Sequence, residues 1–214
     1  MTASPERVRH PLFARLYQRI SAAAEQAGAG EHRERLLEGL SGRVVEVGAG
    51  NGMNFAHYPP TVTEVVAVEP EPYLRARAEE AAARAAVPVR VVAGTSTSLP
   101  LGDASADAGV ASLVLCSVPD QGAALTELRR VIRPGGELRF YEHVRARDER
   151  WARRQRLADP VWTRIAGGCH LTRDTERTIA GAGFAIEASD RFLFAPCWMS
   201  RFAAPHILGR ARRA

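Results

Sequence analysis

The chain has no lysine, so all 29 of its Lys and Arg positions are arginines. These arginines are spread along the sequence among Asp and Glu residues, a pattern typical of a solvated surface rather than of a basic binding patch. The net charge of +5 therefore gives no reason by itself to expect a nucleic-acid partner or an anionic membrane surface.

Cysteine is also scarce. Cys116, Cys169 and Cys197 lie far apart and show neither a CxxC pair nor a Cys/His ligand spacing. The spacing indicates neither a disulfide framework nor a zinc site, so we expect no metal. A reducing, cytoplasmic location fits this cysteine usage best.

Long hydrophobic runs are missing as well. No stretch of 18 uncharged apolar residues occurs, and the N-terminal region has no uninterrupted apolar core. We therefore expect a protein that is neither secreted nor membrane-spanning. At 214 residues and 46% apolar composition, the chain suits one domain with short appendages.

The first 40 residues are predicted to be helical. Apolar residues recur at helical spacing from Val8 to Ile20, and the stretch ends at the glycines of 28–30. A second helical piece covers 31–40. We interpret 1–40 as a helical lid in front of a domain covering 41–214.

Residues 41–214 alternate between short apolar runs and helical segments. The predicted strands are 43–47, 64–68, 87–93, 106–115 and 137–141, and the predicted helices are 71–86, 119–131, 148–165 and one beginning near 172. This order predicts a Rossmann-like α/β fold with a doubly wound, mostly parallel sheet. The apolar segments from Phe184 onward are predicted to add an antiparallel C-terminal edge.

A glycine-rich loop follows the first predicted strand. Its sequence is Glu46-Val-Gly48-Ala-Gly50-Asn-Gly52, and such glycines permit a tight turn against which a ligand can lie. A nicotinamide dinucleotide site would require GxGxxG, but Met53 stands where the third glycine belongs. The spacing favours S-adenosylmethionine over NAD.

An acidic residue ends the second predicted strand. Glu69 can accept hydrogen bonds from both hydroxyls of a ribose. Strand, glycine loop, helix and acid in this order make the cofactor hypothesis much more specific than a glycine-rich turn alone.

Further motifs lie outside the glycine loop. They are Asn54-Phe55 with Tyr58-Pro59-Pro60, Leu113-Val-Leu-Cys-Ser-Val118, Arg133-Pro-Gly-Gly136, Glu142-His143-Val144, Gly168-Cys169 with Leu171-Thr172-Arg173, and Pro205-His206-Ile207 with Gly209. With these motifs the chain resembles class I S-adenosylmethionine-dependent methyltransferases over 42–212. It is most similar to one branch, the small thiol methyltransferases of the methyltransferase-like group.

The resemblance implies that Glu46 and the three loop glycines Gly48, Gly50 and Gly52 line the methionine end of the cofactor, and that Glu69 holds the ribose. We expect the cofactor site to be completed by Asn54, Thr95 and Cys116. Thr95 lies in Gly94-Thr95-Ser96, where such enzymes often have an acidic residue for the adenine amine, and its hydroxyl is a weaker substitute.

The carboxyl ends of the fourth and fifth strands are expected to face the methyl acceptor. This places Cys116, Ser117, Glu142 and His143 there, with His143 as first candidate for a general base and Glu142 beside it. An equally good interpretation of His143 is a histidine that tethers the following loop. We expect Cys116 and Cys169 to be buried small hydrophobes, because methyl transfer needs no covalent enzyme intermediate.

The acceptor predicted from the resemblance is a small alkyl thiol. Alternatives are O-, N- or C-methylation of a small metabolite or a phospholipid head group, and a non-catalytic cofactor-binding domain. A nucleic-acid acceptor is not expected, because 115–118 reads Leu-Cys-Ser-Val instead of Asn/Asp-Pro-Pro-aromatic.

Two helical segments have open roles. Membrane-bound members of the branch carry an apolar N-terminal anchor, whereas this N-terminal helix carries Arg7, Arg9, Arg15 and Arg19, so it is either a lid or a peripheral membrane contact. After the fifth strand, four apolar side chains either cap the acceptor or pack in the core: Trp151, Leu157, Trp162 and Ile165.

Overall fold

The computed structural model describes residues 11–214, so the predicted helix start at Val8 and the side chains of Arg7 and Arg9 lie outside it. The strands are β1 (Gly42–Val47), β2 (Val62–Val68), β3 (Val89–Val92), β4 (Ala106–Ser112), β5 (Ile132–His143), β6 (Phe184–Leu193) and β7 (Pro205–Arg213). The helices are α1 (Pro11–Ala24), α2 (Gly30–Leu37), α3 (Pro72–Ala82), α4 (Gln121–Val131), α5 (Glu149–Ile165) and α6 (Thr175–Gly181).

The seven strands form one sheet in the order β3-β2-β1-β4-β5-β7-β6. Strands β1 to β5 are parallel, whereas β7 runs antiparallel to both β5 and β6. The predicted Rossmann-like α/β fold with an antiparallel C-terminal edge is confirmed. Because the chain order reverses between β1 and β4, a crevice for ligands is expected at the carboxyl ends of these two strands.

Alternate residues of the central strands bury opposite faces of the sheet. Val44 belongs to one apolar cluster and Val45 to the other, and both are 0% exposed. A parallel strand covered on both faces reads as a continuous apolar run, which is why β1 and β2 could be recognised in the sequence.

Side-chain caps fix where several helices begin. Asp120 accepts a hydrogen bond from the Ala123 N–H at 3.0 Å, and Asp148 accepts one from the Trp151 N–H at 2.8 Å. Each carboxylate satisfies a backbone donor that the first turn leaves free. The predicted start of α5 is confirmed by this cap, and α6 begins at Thr175 behind its own cap, Asp174.

Element ends differ from the predictions by a few residues. Strand β4 ends at Ser112 because Leu113, with φ of 58°, turns the chain away from the sheet. The break expected at the glycines of 28–30 falls at Gly28, whose φ of 108° kinks the chain between α1 and α2. Within residues 11–214 we find no helix with the length and apolar content to cross a bilayer.

Candidate active site

The glycine loop leaves β1 at the edge where the sheet crevice opens. Gly48, Gly50 and Gly52 all have positive φ values, of 65°, 57° and 79°. A Cβ on Gly48 would lie 2.3 Å from Cγ2 of Val114, so the loop packs directly against the segment that follows β4. The loop therefore needs glycine both for its conformation and for this close approach.

Glu69 stands at the end of β2 and is tied to the glycine loop. Its Oε2 accepts a hydrogen bond from the Gly50 N–H at 2.8 Å, and its Oε1 accepts one from the Glu71 N–H at 2.9 Å. Burial raises the pKa of Glu69 to about 7, against the lowering effect of these two donors. Each oxygen keeps a second acceptor position, so the carboxylate is oriented and can still bind hydroxyl donors.

Glu46 lies at the end of β1 and is held by side chains. It accepts hydrogen bonds from Asn54 Nδ2 at 2.8 Å and from the Tyr58 hydroxyl at 2.7 Å. Burial raises the pKa of Glu46 to about 7, although both hydrogen bonds lower it. The guanidinium of Arg33 donates to Asn54 Oδ1 at 2.7 Å and so links this group to α2.

Helix α1 lies over the glycine loop. A Cβ on Gly50 would be 3.2 Å from the Tyr17 ring, and Asn51 Nδ2 donates to the Ser21 hydroxyl at 3.0 Å. Burial raises the pKa of Tyr17, and the charges of Arg33, Glu69, Cys116 and Glu46 also act on its phenol. Tyr17 therefore lies among groups of both predicted sites.

The cofactor half of the crevice fits S-adenosylmethionine chemically. Two buried carboxylates flank a loop of bare backbone, and the Asn51 Oδ1 in that loop is buried without a hydrogen-bond partner. An orphaned buried acceptor next to oriented carboxylates indicates a polar ligand with its own donors. Thr95 follows β3 at the same edge of the sheet, with its hydroxyl 3.3 Å from that of Thr97.

Glu142 has a different role from the catalytic one predicted for it. Its side chain is 0% exposed, and its two oxygens accept hydrogen bonds from the backbone N–H groups of Val114, Leu115 and Cys116 at 2.8–3.1 Å. Burial raises the pKa of Glu142, and the backbone donors oppose that shift. Glu142 positions the loop after β4, because its oxygens are committed to the backbone.

His143 lies between two cysteine sulfurs. Its Nδ1 is 3.5 Å from the Sγ of Cys116 and 3.5 Å from the Sγ of Cys169. Burial lowers the pKa of His143, but the hydrogen bond with Cys116 and nearby negative charge outweigh it, so the net shift is upward. The sequence spacing gave no sign of this group, which is assembled from three separate segments.

Backbone contacts hold the two cysteine-bearing loops together. The His170 N–H donates to the Cys116 carbonyl at 2.8 Å, and Arg173 donates to the carbonyls of Leu115 and Val118. A Cβ on Gly168 would lie 3.0 Å from the Ser117 carbonyl oxygen, and its φ is 86°. Gly168, Arg173 and residues 115–118 belong to the sequence motifs, but their spacing gives no sign of this contact.

An aromatic cluster packs against the His143 ring. The His143 and His206 rings are 4.5 Å apart, and Tyr141 and Phe192 stack on His206 at 5.3 and 5.6 Å. His206 and Trp151 border an apolar cavity of about 260 Å³.

The exposed side of α5 departs from prediction. Leu157 and Ile165 are 78% and 62% exposed, so of their two predicted roles packing in the core is wrong, and capping the acceptor stays a prediction. Trp162 instead turns inward, with its indole nitrogen buried.

Comparison with known proteins shows the family. The family model described as a methyltransferase domain matches residues 45–140. Thiol S-methyltransferase TMT1B of Homo sapiens is 37% identical over 82% of this chain and 73% of its own length, and the human TMT1A is 35% identical over 81% and 72%.

A solved structure shares the fold. A Thermotoga maritima S-adenosylmethionine-dependent methyltransferase, described as a possible histamine N-methyltransferase, superposes with a TM-score of 0.70 at 21% identity, covering 94% of this chain and 96% of that one. The fold, the crevice and these relatives agree: the chain belongs to the S-adenosylmethionine-dependent methyltransferases, the enzyme family that includes the thiol S-methyltransferases.

Proposed function

We propose that this enzyme transfers the methyl group of S-adenosylmethionine to the sulfur of a small alkyl thiol. The observation that carries this proposal is the 37% identity to a human thiol S-methyltransferase over 82% of the chain. The acceptor is a small molecule, and a nucleic-acid partner is not part of the proposal.

The cofactor residues proposed are those predicted from the sequence. Gly48, Gly50 and Gly52 would hold the methionine end beside Glu46, which Asn54 orients. Glu69 would accept hydrogen bonds from the ribose hydroxyls. Thr95 would lie near the adenine, and Cys116 would border the methyl group. When bound, S-adenosylmethionine supplies an electrophilic methyl group on a sulfonium.

The chain's main task is then to align the acceptor sulfur and to exclude water. The loop after β4 carries Cys116 to the crevice, and Glu142 fixes this loop through three backbone donors. A thiol reacts as its thiolate, so a cationic group near the acceptor would speed the reaction. His143, whose Nδ1 is 3.5 Å from the Cys116 sulfur, would be that group, and its position beside this loop supports sulfur as the acceptor atom.

We also propose that 1–40 act as a lid over the bound cofactor, with 41–214 forming the catalytic domain. The contacts of Tyr17 with Gly50 and of Ser21 with Asn51 support the lid. A peripheral membrane contact is the second candidate for this helix, supported by the 49% exposure of Ile20 beside the exposed Arg19.

The test is turnover of methyl-labelled S-adenosylmethionine against ethanethiol, ethylamine, phenol and ethanolamine phospholipid. Label in ethyl methyl sulfide is the expected result. Label in another acceptor would refute the thiol assignment, and cofactor binding with no transfer to any of them would favour a binding domain.

A further inference from the structure

We propose that Cys116, Cys169 and His143 form a Zn²⁺ site whose fourth ligand is the sulfur of the methyl acceptor. This inference rests on the proposed thiol methylation and gives that reaction a specific way to activate its acceptor. It concerns the three side chains that lie beyond the cofactor half of the crevice.

The ligand atoms already have the spacing of a zinc site. Both sulfurs lie 3.5 Å from His143 Nδ1, and the three atoms all lie within 4.8 Å of one another. With Zn–S near 2.3 Å and Zn–N near 2.0–2.1 Å, a tetrahedral centre places sulfur and nitrogen roughly 3.5 Å apart. Two thiolates and an imidazole are also ligands that favour Zn²⁺ over hard cations.

The surrounding structure fixes these ligands. The Cys116 loop is clamped by Glu142 and Arg173, and the Cys169 loop is joined to it through the His170 N–H. The Trp162 indole N–H is buried without a hydrogen-bond partner, and it lies close enough to the Cys169 thiol to lower its pKa. Such outer hydrogen bonds typically orient metal ligands and stabilise thiolates.

Three protein ligands leave one tetrahedral position open. Across residues 11–214, the cluster of potential metal ligands at this place contains these three side chains and no fourth Cys, His, Asp or Glu. A centre with three protein ligands and one exchangeable position is the arrangement of catalytic zinc sites, whereas structural sites are closed. Cys116 lies on the loop that borders the predicted cofactor site, which would bring a sulfur bound at the open position close to the donated methyl group.

The chemistry is balanced without another reactant. The acceptor thiol binds Zn²⁺ and releases its proton to solvent, so the sulfur remains a nucleophilic thiolate near neutral pH. The thiolate sulfur forms a new S–CH₃ bond as the sulfonium–CH₃ bond of the donor breaks. The products are a thioether and S-adenosylhomocysteine, and the neutral thioether leaves the metal. In this scheme His143 is a ligand rather than a general base.

Metal content tests the site independently of turnover. Protein purified through a histidine-free tag is expected to contain one Zn²⁺ per chain by plasma mass spectrometry. Cys116→Ser and Cys169→Ser should each lower Zn²⁺ affinity by more than about 100-fold, since a ligand matters at least as much as its outer partners. Cys197→Ser is the matched control because Cys197 is exposed and outside the cluster, and it should retain the metal.

Cobalt substitution tests the fourth ligand. The Co²⁺ form should show thiolate charge-transfer bands and the intense visible bands of four-coordinate cobalt, and ethanethiol should shift those visible bands whereas ethanol should not. Trp162→Phe should keep the site but weaken Zn²⁺ binding by up to about 10-fold, through loss of the N–H facing Cys169.

The outcomes separate this inference from the proposed function. Thiol methylation by wild-type protein that binds neither Zn²⁺ nor Co²⁺ would overturn the site and leave the function standing. So would recovery of Cys116 and Cys169 as a disulfide in the active enzyme. Bound metal with an ethanethiol-induced shift, but methylation of a different acceptor, would support the site and refute the proposed reaction.

Discussion

The two halves of the crevice are built differently. The cofactor half uses backbone and carboxylates at the ends of neighbouring strands, as in the contact of Glu69 with the Gly50 N–H. The acceptor half uses side chains that are distant in the sequence, because Cys116 and Cys169 lie 27 and 26 residues from His143 along the chain. A backbone-built site constrains the ligand's shape, whereas the side-chain cluster, under the proposal above, would determine which atom is methylated.

The largest expected effect is on the cofactor half. Glu69→Ala should weaken binding of S-adenosylhomocysteine by more than about 100-fold, because two hydrogen bonds to a charged acceptor contribute about 1.5–3 kcal/mol each. Isothermal titration calorimetry measures this change. Glu64→Ala is the control, since Glu64 lies on the same strand but pairs at the surface with Arg43 and Arg90. Unchanged affinity in folded Glu69→Ala would remove Glu69 from the site.

The acceptor half should be disrupted by a substitution that weakens the loop after β4. Glu142→Gln should lower the free energy of unfolding by about 1–3 kcal/mol, because the amide nitrogen that replaces one oxygen cannot accept from the backbone. Denaturant unfolding measures this loss, with Glu149→Gln as an exposed control at 71% side-chain exposure. If Glu142 acted as a base instead, the variant would keep its stability and lose the pH dependence of turnover.

The halves also differ in how much of them the sequence reveals. Strand β1, the glycine loop, strand β2 and Glu69 follow one another within 28 consecutive residues, 42–69, so short-range pattern was enough to find them. Cys169 reaches His143 only through the packing of α5 and the loop that follows it. The spacing of the cysteines in the sequence does not predict that contact, so Cys116 and Cys169 were interpreted as unrelated residues. The role of Glu142 was missed for the same reason, since its partners are backbone groups on another strand's loop.

The exposure of α5 was missed for a related reason. Its periodic apolar residues predict a helix with one face against the core, and the helix is present as predicted. The inward face nevertheless carries Ala152 and Gln155, both 0% exposed, while Leu157 and Val161 face solvent. Gln155 is buried because its amide pairs with the backbone of Ala146 and Val144. Hydrogen bonding, not apolar periodicity, thus sets the orientation of this helix.

Cofactor binding should depend on pH through the two buried carboxylates Glu69 and Glu46. The pKa of Glu69 is raised to about 7 in the free protein, and the ribose hydroxyls favour its ionised form. Affinity is therefore complete above this pKa and falls as pH decreases through it, by at most about 10-fold per pH unit. Titration of S-adenosylhomocysteine between about pH 8 and about pH 6 measures the slope. Glu69→Gln should flatten it, leaving only the part due to Glu46, whose pKa is also raised to about 7. If the Glu69→Gln variant keeps the wild-type dependence of affinity on pH, the proton that controls binding belongs to another group.

The smallest effect is expected at Leu157, which was predicted to cap the acceptor or pack in the core and is exposed to solvent. Leu157→Ser should change the free energy of unfolding by less than about 0.5 kcal/mol, because the side chain is 78% exposed and leaves no cavity when it is shortened. The KM for ethanethiol should stay the same for the same reason. Trp162→Phe is the informative partner, since Trp162 lies on the same helix but turns its indole nitrogen toward Cys169. A KM that rises in Leu157→Ser and not in Trp162→Phe would mean that the acceptor binds on the outer face of α5, away from the cysteine pair.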